Sequence, residues 1–315
     1  MNFARNFLRF SHSSTRKAES AAKAERGWAL VAVLWTLAIL SMMAAASQAL
    51  TVASARVTHL ANDNARIDAD VRAGVVRAIL ALEDPRIAAR WRVDGMPQTF
   101  VFDGLAMSVR IQDTAGLIDL NVADDDALQG LFISAGLPAD AAKTLTANVI
   151  DWREPVGGDD ADQSRTQGTT DARYAAAQLG YMPRHNPFQT VDELKLVIGM
   201  TPALFARVAP ALTVYSRDSD VDEQTAPVIV LNALYPGDTN KIAQIIAGRN
   251  NPQAQADGDQ QPSGPPGVIS DNGSSWGHSY RVTIAAMPNG RRIVRTAVVE
   301  PTGDPDRPYL VEAWN

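Results

Sequence analysis

The chain has 315 residues, a formal net charge of −6, four histidines and no cysteine. That length holds a membrane helix and one or two domains, and the mildly acidic balance gives no bulk attraction for nucleic acid. Without cysteine, disulfides, thiolate metal sites and cysteine nucleophiles are excluded. His12, His59, His185 and His278 form no i,i+3 or i,i+4 pair, which argues against histidine-based zinc catalysis.

The N-terminus is basic: Arg5, Arg9, Arg16, Lys17, Lys23 and Arg26 stand against Glu19 and Glu25. From Gly27 to Ala55 no charged residue or histidine occurs. At about 1.5 Å of helix rise per residue, this run exceeds the roughly 30 Å hydrocarbon layer. The charge step holds the N-terminus in the cytoplasm and sends the remainder across the membrane. Three readings fit the junction Arg26-Gly27-Trp28. A secretory signal peptide would be cut at Ala44-Ala45-Ala46 or Ala53-Ser54-Ala55. A plain signal anchor needs only the charge step and the apolar run. A type IV prepilin leader would be cut between Gly27 and Trp28, leaving the apolar segment in the mature protein. Against the last, the usual glutamate at the fifth mature position is replaced by Ala32.

Beyond the apolar run, Val57, Leu60, Ile67, Val71, Val75 and Ile79 recur at helical spacing, predicting one helix from about Trp28 to Glu83 with a stripe that packs on something. Gly74 is a mild weak point in it. Phe100-Val101-Phe102 and Ala106 to Ile111 have strand character around Asp103-Gly104, a hairpin signal. From Asp113 to about Ser216 the rhythm is helical: Leu128, Leu131 and Phe132 make one apolar face, and Ala141, Leu145, Val149 and Ile150 the next. The stretch 154–171 reads as an acidic, glycine-rich loop. A further helix is expected from Pro227 to about Gly248, then a Gln-, Gly- and Pro-rich linker. Strand-like runs follow at Ser279–Ala286, Arg291–Val299 and Tyr309–Trp314, the first two flanking the turn Pro288-Asn289-Gly290. Strands on both sides of a helical block predict one sheet with a helical domain inserted into it.

Within that block, DTAGLIDLNVADDDALQGLFISAGLP has its own grammar. Asn121 is the expected helix cap, with Asp124, Asp125 and Asp126 in the first turn facing the positive end of the helix dipole. VDEQTAPVIVLNAL echoes it, Thr225, Ala226 and Leu231 falling where Val122, Ala123 and Leu128 fall. GLPADAAKTLTANVIDW and GMTPALFARVAPALTVY each read as a helix–hairpin–helix unit. Nucleic-acid-binding versions hold phosphates on hairpin N–H groups beside Lys or Arg. Here Gly136 has Asp140 and Lys143 nearby, and Gly199 has Lys195 and Arg207, which is thin basic support. A structural use of the hairpins and a nucleic-acid use both stand at this point.

The acidic loop supplies Asp151, Glu154, Asp159, Asp160, Asp162 and Asp171, with Gly157 and Gly158 for tight turns. Calcium takes several such oxygens at about 2.3–2.6 Å. No EF-hand order can be laid on these residues, so a solvated loop and a calcium loop remain alternatives. No Ser–His–acid arrangement, phosphate-binding glycine loop or matched carboxylate pair stands out, so no catalytic residue is assigned.

In order, RGWALVAVLW, DTAGLIDLNVADDDALQGL, Asp151-Trp152 with its acidic loop, HNPFQTVDELKLVIGMTPALFARVAPALTVYS and VDEQTAPVIVLNAL resemble the minor pseudopilin K family of the type II (general) secretion system. The likeness spans roughly residues 26–235; beyond that it is strand character alone. It implies an α+β, pilin-like fold: a long N-terminal helix packed on an antiparallel sheet, with a large all-α domain of helix–hairpin–helix-like units inserted. The corresponding division is a basic leader at 1–27 and a long helix at 28–84, transmembrane over about 28–50. First strands lie at 85–115 and the inserted domain at 116–218. A return segment and helix fill 219–250, a linker 251–270, and C-terminal strands 271–315.

The resemblance further implies cleavage after Gly27 by the prepilin peptidase and N-methylation of Trp28. It implies a single-pass inner-membrane location with a periplasmic globular part. It also implies assembly at the tip of a periplasmic pseudopilus that supports export of folded proteins. Partners would be minor pseudopilins I and J and the major pseudopilin G, with no nucleic acid and no enzymatic activity. Ala32 in place of the pilin glutamate is shared with the family and suits a subunit with no neighbour above it, since a buried carboxylate demands a partner. Family members carry calcium near the Asp-Trp motif, which directs attention to the six carboxylates above. The family's Glu-Asp before Tyr-Tyr is reduced here to Asp171 ahead of Tyr174. The alternative is a membrane-anchored helix–hairpin–helix protein that binds nucleic acid, of the DNA-uptake type.

Overall fold

The computed structural model describes residues 14–84, 90–155, 171–250, 278–304 and 306–314; within these, side-chain surroundings are described from 28 onward except at 29, 49–60, 250 and 289. The chain divides into two compact units, Met1–Ile67 and Asp68–Asn315. Helix α1, Ser14–Leu82, crosses that division.

In the first unit, Leu30–Gln48 is long and apolar enough to cross a membrane. Its hydroxyls are satisfied within the helix: Thr36 donates to the Val33 carbonyl at 2.9 Å, Ser41 to Leu37 at 2.7 Å and Ser47 to Ala44 at 2.9 Å. Such back-bonding keeps polar side chains compatible with an apolar medium, where an unmade hydrogen bond is costly.

The second unit is built on a five-stranded antiparallel sheet in the order β1-β2-β5-β6-β7. Its strands are β1 Asp94–Phe102, β2 Leu105–Asp113, β5 Tyr280–Ala286, β6 Ile293–Asp304 and β7 Arg307–Trp314. Asp103 and Gly104 both take positive φ, +47° and +76°, and close the β1–β2 hairpin where the sequence placed it. Met107, Val109, Ile111, Val282 and Ile284 alternate inward, as the strand period requires. The end of α1 covers this face with Val71, Val75, Ala78 and Ile79, the last members of the predicted stripe together with Ala78. Val57 and Leu60 lie outside the residues with described surroundings. Gly74 has a reason beyond helix propensity: a Cβ there would sit 2.8 Å from Ile284 Cδ1 and 3.4 Å from Met107 Sδ.

β2 and β5 are hydrogen-bonded neighbours, Asp113 opposite Tyr280, yet residues 114–279 separate them in sequence. That interval carries β3 Ile118–Asp119, α2 Asp125–Ser134, α3 Ala139–Arg153, α4 at 171–176, α5 Pro202–Val208, β4 Leu212–Thr213, α6 Val228–Leu234 and α7 Thr239–Asn250. β3 and β4 form a short parallel pair. One buried cluster unites Leu128, Phe132, Leu145, Trp152, Leu204, Val230, Leu231 and Ile242. A division at residue 218 therefore fails, because α6 and α7 belong to the same core as α2 and α3. The single helix expected over 227–248 is two, broken at Tyr235-Pro236-Gly237, where Gly237 has φ +83°. On α3 it is Ala142, not Ala141, that faces the core.

Polar contacts join this helical part to the sheet. Thr114 N–H and Oγ1 both donate to the Ser279 carbonyl, at 3.0 and 2.8 Å, tying the two connections together. Gln112 Nε2 donates to the Thr225 carbonyl at 2.8 Å. Arg281 of β5 donates to the carbonyls of Pro210 (3.1 Å) and Leu212, and burial lowers its guanidinium to about 10. Arg217 reaches Glu312 at 3.2 Å and Glu300 at 4.0 Å.

Candidate functional site

Gly27, Trp28 and Ala32 lie in helical backbone of α1. Trp28 is 81% exposed within the chain, and Ala32 one turn on is exposed as well. From Leu30 to Gln48 the helix exposes apolar side chains on all sides, the pattern of a helix covered by lipid or by other helices.

Of the six acidic candidates, Asp159, Asp160 and Asp162 lie outside the described residues. Asp151 is buried in the last turn of α3, Glu154 caps that helix, and Asp171 opens α4. His185 joins two of them. Its Nδ1 lies 3.0 Å from the Asp151 carbonyl oxygen and its Nε2 3.2 Å from Asp171 Oδ1. A backbone carbonyl and a carboxylate oxygen thus face the two ring nitrogens. His185 adopts a left-handed φ of +47° to do this. Among the described residues no three His, Asp or Glu side chains converge as a metal site. The described carboxylates alone therefore do not compose one.

Aromatic side chains root the two ends of the acidic segment. Trp152 stacks on Phe188 with centroids 6.1 Å apart and tilts against Tyr174 at 6.2 Å. Tyr174 Oη accepts from the Ile198 N–H at 2.8 Å, and burial raises its hydroxyl to about 12. Asn121, expected as a helix cap, does different work. The cap of α2 is Asp124, whose Oδ1 accepts from Ala127 N–H at 2.8 Å. Asn121 instead pins the segment leading to Phe188: its Oδ1 accepts from Phe188 N–H at 2.7 Å, and its Nδ2 donates to the Phe188 carbonyl at 3.0 Å.

The two hairpins face each other's helices. Gly136 (φ +95°) lies between α2 and α3, and a Cβ on it would sit 3.2 Å from Arg207 Nη1 of α5. Gly199 (φ +96°) precedes α5, and its own Cβ position faces Leu145 Cδ1 of α3 at 3.5 Å. Asn148 of α3 donates to the hairpin carbonyl of Ile198 at 2.9 Å. In the second helix–hairpin–helix motif the first helix is a short 3-10 stretch, Val191–Leu196. Hairpin N–H groups are used inside the protein: Gly136 to Ile133, Leu137 to Phe132, Met200 to Val197, and Ile198 to Tyr174. Those four donors are therefore already used within the protein.

The sequence echo is structural as well. Arg153, ending α3, donates to the carbonyls of Leu120 and Ala123, both at 2.8 Å. Arg249, at the end of α7, donates to the carbonyls of Ala226 (2.8 Å) and Glu223. Ala226 falls where Ala123 falls in the echo and Glu223 where Leu120 falls, so each copy is closed by an arginine on the helix pair that follows. Burial lowers both guanidinium groups. Sequence reading missed both clamps and His185. The only available signal was an arginine ending each helix that follows the repeated motif.

A family model described as "Type II secretion system (T2SS), protein K" matches residues 110–217. The type II secretion system protein K of Klebsiella pneumoniae is 28% identical over 240 residues, covering 67% of this chain and 72% of that protein. That of Pseudomonas aeruginosa strain PAO1 is 27% identical over 168 residues, covering 50% of this chain and 48% of the relative. Among solved structures, a chain of the GspK-GspI-GspJ complex of enterotoxigenic Escherichia coli is similar in fold. It has a TM-score of 0.53 and 14% identity, covering 82% of this chain and 98% of that one.

Proposed function

We infer that this chain, a member of the type II secretion system protein K family through its central domain, acts as a minor pseudopilin. The observation that carries this reading is the interruption of one antiparallel sheet between its neighbouring strands β2 and β5 by that domain, in a chain with one apolar N-terminal helix. Its work is assembly, not catalysis. The helix is anchored in the inner membrane with the globular part periplasmic, following the basic leader. The prepilin peptidase cuts between Gly27 and Trp28 and Trp28 is methylated. The apolar helix then leaves lipid for a bundle with minor pseudopilins I and J, at the tip of a pseudopilus whose shaft is the major pseudopilin G. That pseudopilus helps move folded proteins across the outer membrane. Ala32 supports the tip position, because no carboxylate there needs a subunit above to neutralise it.

Calcium belongs to this reading as a cross-link. It would be held by Asp151, Glu154 and Asp171 together with Asp159, Asp160 and Asp162, since a hard cation takes about six to eight oxygens. The described donors support it by lying at both ends of the acidic segment.

The nucleic-acid alternative loses ground to a specific observation: Gly136 and Leu137 of the first hairpin and Ile198 and Met200 of the second spend their N–H groups on internal bonds, and each hairpin lies against a helix of the other hairpin's pair. The deciding experiment is intact-mass analysis of the membrane-extracted protein. A mass lacking residues 1–27 and carrying one added methyl supports the prepilin reading. A retained leader leaves an ordinary anchor, and a cut near Ala46 or Ala55 makes the protein soluble; either result defeats the reading.

A further inference from the structure

The face of the sheet turned away from α1 has an unusual composition. Cross-strand register puts Thr99, Ser108, Ala285 and Val294 side by side over four strands. In the neighbouring row Arg110 stands between Pro97 and Thr283. Toward the hairpin, Val101 opposes Ala106 and is 69% exposed, while Val294 is 43% exposed. Nowhere in these rows is there an Asp, Glu or Lys, although the chain as a whole carries −6. The only charge in these rows is the exposed guanidinium of Arg110; at the rim the exposed Arg291 and Arg292 follow in the β5–β6 turn, with one exposed carboxylate, Asp103, in the β1–β2 hairpin at the same end.

A solvated sheet face ordinarily alternates to polar and charged residues. Depletion of Lys, Glu and Asp with retention of Arg is the composition of protein interfaces. The helical domain already covers the far end of this face, through Gln112 and Arg281. Small side chains leave the rest flat.

Size and charge identify the occupant. Four strands about 4.8 Å apart and six residues at about 3.3 Å give a patch of roughly 15 by 20 Å. That is about 300 Å², well short of the roughly 800 Å² a side of a free-standing interface. The partner must therefore already be held close by another attachment, which raises its effective concentration. A freely diffusing secreted protein lacks that attachment. A second copy of this chain would set arginine against arginine. We propose that the open face of the sheet around Ser108 and Ala285 docks a neighbouring membrane-anchored pseudopilin that presents acidic side chains to Arg110 and the Arg291-Arg292 turn. This rests on the minor-pseudopilin reading and adds to it the surface used.

The test uses the full-length chain co-expressed with its I- and J-type partners and extracted in detergent. Because the chain has no cysteine, Ser108→Cys carries a single photo-cross-linker. The expected product is a cross-link to an I- or J-type partner. In capture assays Arg110→Glu lowers partner recovery at least tenfold, and Ala285→Arg, which raises a long side chain from the flat centre, abolishes it. Both variants should keep the thermal midpoint of the parent. If the parent captures its partners and both variants do so equally well, or Ser108→Cys links to a second copy, to a secreted protein or to nothing, this docking surface is wrong while the minor-pseudopilin reading survives. If the unaltered chain captures neither partner, the reading itself fails and the proposal with it.

Discussion

A Cβ on Gly130 would lie 2.3 Å from the carbonyl oxygen of Ala233. Gly130 lies in the first copy of the repeated motif and Ala233 occupies the matching place in the second, so the two copies meet at equivalent points where α2 packs on α6. Backbone is on the far side of the contact, and backbone cannot rotate away.

Gly130→Ala sets two effects against each other. Helix propensity favours alanine by about 1 kcal/mol, whereas overpacking a close contact costs typically about 1–3 kcal/mol and occasionally more. Separating the helices disturbs the whole insert core, so the variant should be less stable by about 1–3 kcal/mol in urea denaturation. Gly74→Ala is the control, because there the obstacle is the movable Cδ1 end of Ile284. Its change should stay within about 1 kcal/mol. A Gly130→Ala protein as stable as the parent would show that the interhelical contact yields freely.

Asn121→Ala removes both hydrogen bonds to the Phe188 backbone and leaves that N–H and carbonyl without their partner. The expected loss is about 1–3 kcal/mol. Hydrogen exchange should rise at Phe188 more than at Ala127, whose N–H is held by Asp124. Equal exchange at Phe188 in parent and variant would remove the pinning role.

Asp113 gives a pH dependence with a definite sign. Burial pushes its carboxyl from an ordinary 3.8 up to about 6; the Ala115 N–H and His278 oppose the shift and Asp222 adds to it. A raised carboxyl pKa favours the protonated form in the folded state. Its stabilising contribution is full below about pH 4 and disappears as pH rises through about 6. Asp113→Asn keeps an oxygen for the Ala115 N–H but cannot titrate. The variant's thermal midpoint, relative to the parent, should therefore rise between pH 4 and 7. A constant difference across that range would mean that Asp113 ionises as it does in water.

Calcium should raise the thermal midpoint of the full chain, and a chelator should reverse the rise. Asp151→Asn and Asp171→Asn should each abolish the increment while changing the metal-free midpoint much less. An unchanged midpoint with millimolar calcium, in protein first stripped by chelator, would leave the acidic segment as a solvated loop.

Arg249→Met should destabilise the insert as Arg153→Met does, each by about 1–3 kcal/mol, since each leaves two carbonyls without a charged donor. A loss confined to one of the two variants would separate the copies energetically.

Period and turn chemistry made much of the sheet legible in advance. The two-residue alternation of 280–286 and the Asp103-Gly104 signal are local, because one residue's backbone preference and its neighbours' burial decide them. The break at Tyr235-Pro236-Gly237 is equally local, a proline followed by a glycine at φ +83°. Asn121 departs from the expected cap for a different reason. A cap is chosen by which side chain reaches a free N–H, and a distant backbone at Phe188 outcompeted the local one.

The sequence alone determined the uncharged apolar run, the charge step at Gly27, the strand and helix periods and the family motifs, all of them properties of neighbouring residues. Only the tertiary structure decided what the distant pairs do. It set Gly130 against Ala233, hung Phe188 on Asn121, joined Asp151 to Asp171 through His185, and turned both hairpins inward. Contacts between residues far apart in the chain depend on how whole elements pack, and no local period records that.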